Sequence, residues 1–164
     1  MLPLLKTTTT HFLTWNLERI GRCLDELTEA QVWERSNNSS NSVGNQMLHL
    51  CGNISQWILT GLGGAPDLRL RDEEFAAAGG FNKDQLLVRL TGVITESLAV
   101  VDGLREEDVI RVWPVQAYHH DGVFILTHVV EHLSYHTGQI VFWTKALKDI
   151  DLDLYAGIDL DSTT

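Results

Sequence analysis

The sequence predicts an all-α domain of four helices, and three observations carry that prediction. Four long segments place apolar residues at three- and four-residue spacing, the period of a helix with one buried face. Almost no stretch alternates apolar and polar residues as a half-buried strand does. No internal repeat or second composition block divides the 164 residues, so residues 1–164 read as one domain. A chain of that length buries roughly 70% of the surface its unfolded form exposes, enough for a core without staples.

The first helix, over residues 8–30, aligns Leu13, Leu17, Ile20, Leu24 and Leu27. The polar run from Ser36 to Ser42 ends it as a loop, and Asn41 or Ser42 is a natural N-cap for the next helix. That second helix covers residues 43–62 and is stopped by Gly61, Gly63, Gly64 and Pro66. A connection with a charged middle, residues 69–74, then reaches Gly79 and Gly80. Asn82 and Gln85 have the spacing of a capping box and open a third helix. Its inner stripe is Leu86, Leu90, Val93, Ile94, Val101 and Leu104. Residues 105–121 contain Trp113-Pro114 and read as an irregular crossover, and a fourth helix covers residues 122–148. An acidic tail, residues 149–164, closes the chain with five of its 22 acidic residues and no Lys or Arg.

Composition excludes several functions. Twelve Lys and Arg against 22 Asp and Glu give a net charge of −10, the wrong sign for nucleic acid or an anionic membrane surface. Every long apolar stretch is broken by His, Asn, Gln or Glu well short of the ~20 residues that cross a bilayer. Residues 1–10 lack the apolar run of a signal peptide. Cys23 and Cys51 make no disulfide framework, so a reducing cytoplasm is the expected location.

The fourth helix carries the chemistry. His128, His132 and His136 recur every four residues, and two such histidines on one face can chelate one cation. The outer two lie roughly 12 Å apart along the axis, so the pair is 128/132 or 132/136. With about 100° per residue and His132 at zero, His136 falls near +40° and His128 near −40°. Ile125, Val129, Leu133, Ile140, Trp143 and Leu147 fall between roughly +20° and +100°, so the 132/136 pair lies inside the buried stripe. Each buried imidazole must satisfy both nitrogens away from water, which favours metal ligation for this pair. His128-Val-Val-Glu-His132 also matches the H-x-x-E-H protease pattern, but Glu131 falls near −100°, off the inner face. That reading is rejected.

A third ligand must come from another helix. His49 lies mid-way along the second helix among Asn45, Gln46, Asn53 and Gln56, while Met47, Cys51, Ile54 and Ile58 take the opposite side. By itself that polar strip reads equally well as a solvated face. His119 and His120 fall in the crossover, as surface loop or as a lid. Asp149-x-Asp151-x-Asp153 begins like a calcium loop but has Leu154 and Leu160 where Gly and Glu are needed. The five tryptophans read as packing, and Trp143 shares the histidine face, where it could wall a cleft.

The chain resembles the DinB/YfiT-like superfamily of metalloenzymes. The residues that carry the likeness are Ser42-Val-Gly-Asn-Gln-Met-Leu-His49, the connector from Arg71 to Phe75, and His132-Leu-Ser-Tyr-His136-Thr-Gly-Gln-Ile140. The resemblance implies an antiparallel-type four-helix bundle with a metal held by His49, His132 and His136. The polar strip would then line a cleft of Asn45, Asn53, Gln56 and Trp143, with Gln139 a hydrogen-bond partner behind a ligand. The apolar back of the second helix would need cover from another helix or a second subunit, and a homodimer is expected. Members include thiol-dependent S-transferases and isomerases that use low-molecular-weight thiols, which implies a small-molecule substrate of that kind.

Three imidazoles leave a divalent ion with an open coordination position, the pattern of a catalytic site. Zinc is the expected metal, with nickel, manganese or iron also suited to imidazole. The expected function is thiol-dependent S-transferase chemistry; the alternatives are a metal-dependent hydrolase or a non-enzymatic metal-binding stress-response module. No general base is evident, since Glu131 faces outward and no other carboxylate is pinned near the pair by sequence.

Overall fold

The computed structural model describes residues 1–162. Helix α1 (Leu2–Glu26) starts earlier than the apolar spacing suggests, because Leu2 and Thr9 are buried and Pro3 is tolerated in a first turn. It also stops earlier. Leu27 turns extended, and Thr28 with Gln31 forms a reciprocal capping box that starts a separate short helix, α2 (Glu29–Trp33). Helix α3 (Val43–Ile54) opens on Ser42, whose hydroxyl accepts from the Asn45 amide while the Asn45 side chain takes the Ser42 amide.

The second predicted helix is continuous in path but not in geometry. From Ser55 to Leu62 it widens into π turns, ending with the Gly63 amide donating to the Ile58 carbonyl at 2.9 Å. The charged connector contains one more short helix, α4 (Arg71–Ala76), and Asn82 and Gln85 cap α5 (Lys83–Gly103) as predicted. Residues 105–121 are ordered rather than irregular: helix α6 (Glu106–Ile110) leads into a hairpin of β1 (Val112–Val115) and β2 (Tyr118–Asp121). Val112 pairs with Asp121 and Val115 with Tyr118, around a turn with Gln116 at φ 53°. Four-residue strands containing Pro114, without a Gly or Asn at the turn, leave little for a sequence pattern to register. Helix α7 (Gly122–Lys148) has the predicted limits, opening on the Asp121 side chain and ending at Asp149 in a left-handed conformation. The tail continues in turns, tied to α1 where Arg22 donates to the Asp153 carbonyl at 2.9 Å.

The four long helices form a ring: α1 packs on α5 and α7, and α3 packs on the same two. The core between them includes Leu13, Ile20, Leu50, Ile54, Leu90 and Leu133, all fully buried. Met47, Leu50, Ile54 and Ile58 are buried within one chain, where α5 lies against α3 and its π extension. Of the two covers expected for the back of α3, another helix or a second subunit, helix α5 supplies the first within the chain. On α7, Ile125, Val129, Leu133 and Ile140 face the core, and the buried Thr137 and Thr144 hydroxyls donate to carbonyls one turn back. The neighbouring position of α3 and α7 brings the two histidine-bearing helices together.

Asn45 is a structural tether and does not line a cleft. Fully buried, it accepts from Arg35 Nη2 at 2.9 Å and donates to the carbonyls of Glu74 (2.9 Å) and Ala77 (2.7 Å), fastening α4 to α3. Asn45→Ala removes the cap partner and strands these groups. It should lower the unfolding free energy by about 2–4 kcal/mol, against about 1 kcal/mol for Asn82→Ala at an exposed cap. Urea denaturation of the two variants checks this, and equal losses would refute the tether.

Candidate metal centre

Helix geometry brings His132 and His136 to one face of α7, and the α3–α7 packing sets His49 against them. Ring centroids are 5.0 Å apart for His49–His132, 5.0 Å for His49–His136 and 4.7 Å for His132–His136. One ring nitrogen from each lies within 4.8 Å of the other two, and His49 Nε2 faces His132 Nε2 at 2.9 Å. Among the described residues this is the one group of three or more His, Cys, Asp or Glu side chains that converges in this way. No fourth such side chain among the described residues joins it.

The remaining nitrogens have partners that fix the rings. His49 Nδ1 lies 3.0 Å from Glu74 Oε2, so an Nδ1–H donated to that carboxylate leaves the Nε2 lone pair turned toward the α7 histidines. His136 Nδ1 lies 3.4 Å from Gln46 Oε1. Burial first, then the neighbouring His136, His49 and His128 and the charge of Arg69, push His132 down to about 3. Burial and His49 push His136 down to about 4, opposed by a hydrogen bond with Gln139. Both rings are thus uncharged near neutrality, each keeping one N–H and offering one nitrogen lone pair, as a metal ligand must.

Glu74 is the carboxylate that sequence reasoning missed. Burial raises its pKa, but hydrogen bonds from Arg69 and His49, together with the charge of Arg69, outweigh burial and hold it below the ordinary value. Arg69 Nε donates to Oε1 at 2.8 Å and Nη2 to Oε2 at 2.9 Å, a two-pronged grip. The carboxylate and guanidinium occupy the space above Gly52, where a Cβ would collide with Glu74. The signal was present but faint: a glycine one turn after His49, and an Arg five residues before a Glu in an otherwise surface-like connector.

The other predicted site residues divide. Asn53 is buried, lines the cleft beside His49 and His132, and leaves its Oδ1 without a hydrogen-bond partner. Gln139 is exposed and touches the site only through His136. Gln56 sits on the π stretch, which turns it toward the connector: it donates to Asp67 Oδ2 at 2.7 Å and accepts from Arg69 Nη1 at 2.9 Å. Trp143 packs half-buried against the core, and the tryptophan on the cleft is Trp57, also on the π stretch. His128 lies outside the converging triad: its ring stacks on His132 at 5.5 Å and is tilted 38° against Trp57, 3.9 Å between centroids. His120 proves half-buried, stacked on Phe124 at 3.7 Å, while His119 and Glu131 are exposed. Cys51 is buried away from the site, and burial pushes its thiol up to about 12.

Glu74→Gln and Gly52→Ala should each shift the imidazole nitrogen resonances of His49 away from the Nδ1-protonated pattern. Unchanged resonances in both variants would show that Glu74 does not set the tautomer. A second expectation concerns pH in metal-free protein. His132 and His136 bind protons far more weakly folded than at the ordinary value of 6.5, so the unfolded chain takes up protons first as pH falls. Stability should drop from about pH 6.5 down to about pH 4 for the His136 part and about pH 3 for the His132 part, and His132→Gln should flatten the drop in denaturant midpoint.

The comparisons with known proteins agree with the fold. The family model described as "Protein of unknown function (DUF1572)" matches residues 4–156. No curated protein matches the sequence. A conserved protein from Enterococcus faecalis superposes with a TM-score of 0.74 at 18% identity, covering 85% of this chain and 94% of that one. A DinB-like protein of Bacillus subtilis, YjoA, gives 0.68 at 14% identity, covering 90% and 97%. A DinB-like protein of Bacillus cereus gives 0.65 at 16% identity, covering 82% and 87%. With a helical bundle of that type and a matched family model spanning most of its length, the chain belongs to the DUF1572 family and has a DinB-like fold.

Proposed function

We propose that the protein is a metal-dependent enzyme whose three-histidine centre activates a small-molecule thiol for transfer to an electrophile. The observation that carries this reading is the convergence of His49, His132 and His136 beside a cleft, with no fourth protein ligand among the described residues. The residues fit a transition ion. Tetrahedral bonds of about 2.0–2.1 Å separate ligand nitrogens by roughly 3.4 Å, close to the spacing of the facing His49 and His132 nitrogens. Zinc suits the three imidazoles, and nickel, manganese or iron would be held by the same set.

A divalent ion held there would supply Lewis acidity, lowering the pKa of a thiol or of water to near neutrality. The chain's own part is to hold His49 in one tautomer through Glu74, and to keep His132 and His136 uncharged by burial. Asn53 forms part of the cleft wall beside the centre, with its Oδ1 buried and unpaired behind that wall. Thiol transfer is favoured over hydrolysis because the nearby carboxylate, Glu74, is committed to Arg69 and His49 and is not placed as a general base. A purely structural metal would more commonly be closed by a fourth protein ligand.

Elemental analysis of tag-free protein should find one divalent transition ion per chain. His49→Ala, His132→Ala and His136→Ala should each empty the site, while His128→Ala stays loaded. Glu74→Gln should weaken metal affinity by about 10–100-fold. Retention of metal by His49→Ala, with loss in His128→Ala, would overturn the ligand assignment. An activity screen then varies small thiols against one chloronitrobenzene electrophile, with His136→Ala as the control. Equal turnover by that variant would show that the reaction does not use the centre.

A further inference from the structure

The cleft beside the histidines differs from the rest of the molecule in charge and in shape. The chain carries a net charge of −10, yet no Asp or Glu lines this cavity of about 350 Å³. Its polar walls include Arg69 and Arg71. Arg69 is neutralised by Glu74, but Arg71 has no carboxylate partner among the described residues and lies over the Phe75 ring at 4.9 Å. Phe75 in turn lies against His49, its centroid 4.9 Å away, so this cation stands one ring removed from the candidate metal centre. The same lining also contains a bank of flat rings. His120 stacks on Phe124 at an interplanar angle of 12°, Phe124 is within 6° of parallel to His128, and Trp57 bridges His120 and His128. Phe124 is 45% exposed, so part of its ring stays open to solvent despite the stacked His120.

Five aromatic side chains drawn from the π stretch, the hairpin and α7 meet here (Trp57, Tyr118, His120, Phe124 and His128), and all but Trp57 lie outside the core. Stacked rings around an open space favour a flat partner, and an unpaired guanidinium in an acid-free wall favours an anion. We propose that the cleft binds a small anionic molecule with a planar, conjugated portion, its rings against Phe124 and Trp57 and its negative group on Arg71. This deepens the reading of the centre as a metal-dependent transferase and rests on it for one feature alone, that the bound molecule is a substrate. The binding itself depends on Arg71 and the ring bank.

The test is calorimetric titration of the full chain, metal-depleted and zinc-loaded, with 2-naphthoate. Decahydro-2-naphthoate replaces the flat ring system by a puckered one, and 2-naphthylmethylammonium reverses the charge. A larger cavity of about 530 Å³ lies on the far side of the Arg69–Glu74 pair, walled by Leu48, Leu59 and Val93 with Arg89 at its edge, and supplies the control. Naphthoate should bind one per chain, at least about tenfold more tightly than either analogue. Arg71→Gln and Phe124→Ala should each weaken it about tenfold, and Arg89→Gln should not. Circular dichroism confirms that the variants fold. Absence of saturable binding, equal affinity for the ammonium analogue, indifference to Arg71→Gln and Phe124→Ala, or loss in Arg89→Gln would each overturn the proposal. Naphthoate binding in protein that takes up no metal would sustain the cleft and defeat the transferase reading. Metal uptake without naphthoate binding would do the reverse.

Discussion

Glu74 places a carboxylate under the wall of the bundle, and much of the candidate site results from satisfying that charge. A buried carboxylate without partners is too costly to keep ionised. Here Arg69 grips both oxygens and His49 meets the second, so one charge fixes three side chains from two segments. Asn45 secures the same segment from beneath by taking the Glu74 and Ala77 carbonyls. The result is a short connector helix locked to α3, with His49 held in one orientation toward α7. Gly52 makes this feasible by leaving the volume that the ion pair fills. Most ion pairs at protein surfaces contribute little. This one differs because the Arg69 side chain is only 4% exposed and each oxygen has a donor.

The π stretch plays a second organising part. Wider turns rotate Gln56 and Trp57 relative to the α-helical positions before them, giving Gln56 to the connector and Trp57 to the cleft. Such turns replace regular helical hydrogen bonds with a wider pattern, and they commonly accompany functional sites. Here they let a single path through the bundle serve two surfaces. His49 and Asn53 come from its α-helical half, and the aromatic contact comes from its π half. The hairpin completes the wall with His120, at a place where a plain loop would have left the histidine mobile.

Electrostatics divides the molecule in the same way. The acidic excess is spread over the exterior and the tail, whereas the cleft exposes arginines, histidines and amides. Long-range repulsion of anions by the net charge is screened beyond about 8–10 Å at physiological salt, so the local lining decides what is retained. Burial acts on the histidines in the complementary direction. Keeping His132 and His136 uncharged costs stability as pH falls, and the same burial leaves one lone pair on each ready for a cation.

The sequence by itself determined the long helices and the histidine pair on α7. Helical period and capping chemistry are local: Asn82 with Gln85 and the stripe of Ile125, Val129, Leu133 and Ile140 needed no tertiary contact to be read. The wheel also separated His132 and His136 from His128, because angular position on a regular helix is arithmetic. His49 was ambiguous by composition and became a site residue through resemblance. Only the tertiary structure decided that α3 lies beside α7, and that its apolar back is covered by α5. It alone chose Glu74 from a connector of surface-like charges, moved Gln56 and Trp143 off the cleft, and put Trp57, His120 and Arg71 on it. The physical reason is common to all of these. A regular helix repeats its geometry from residue to residue, but a π turn, a four-residue strand and a buried ion pair gain their stability from partners distant in the chain.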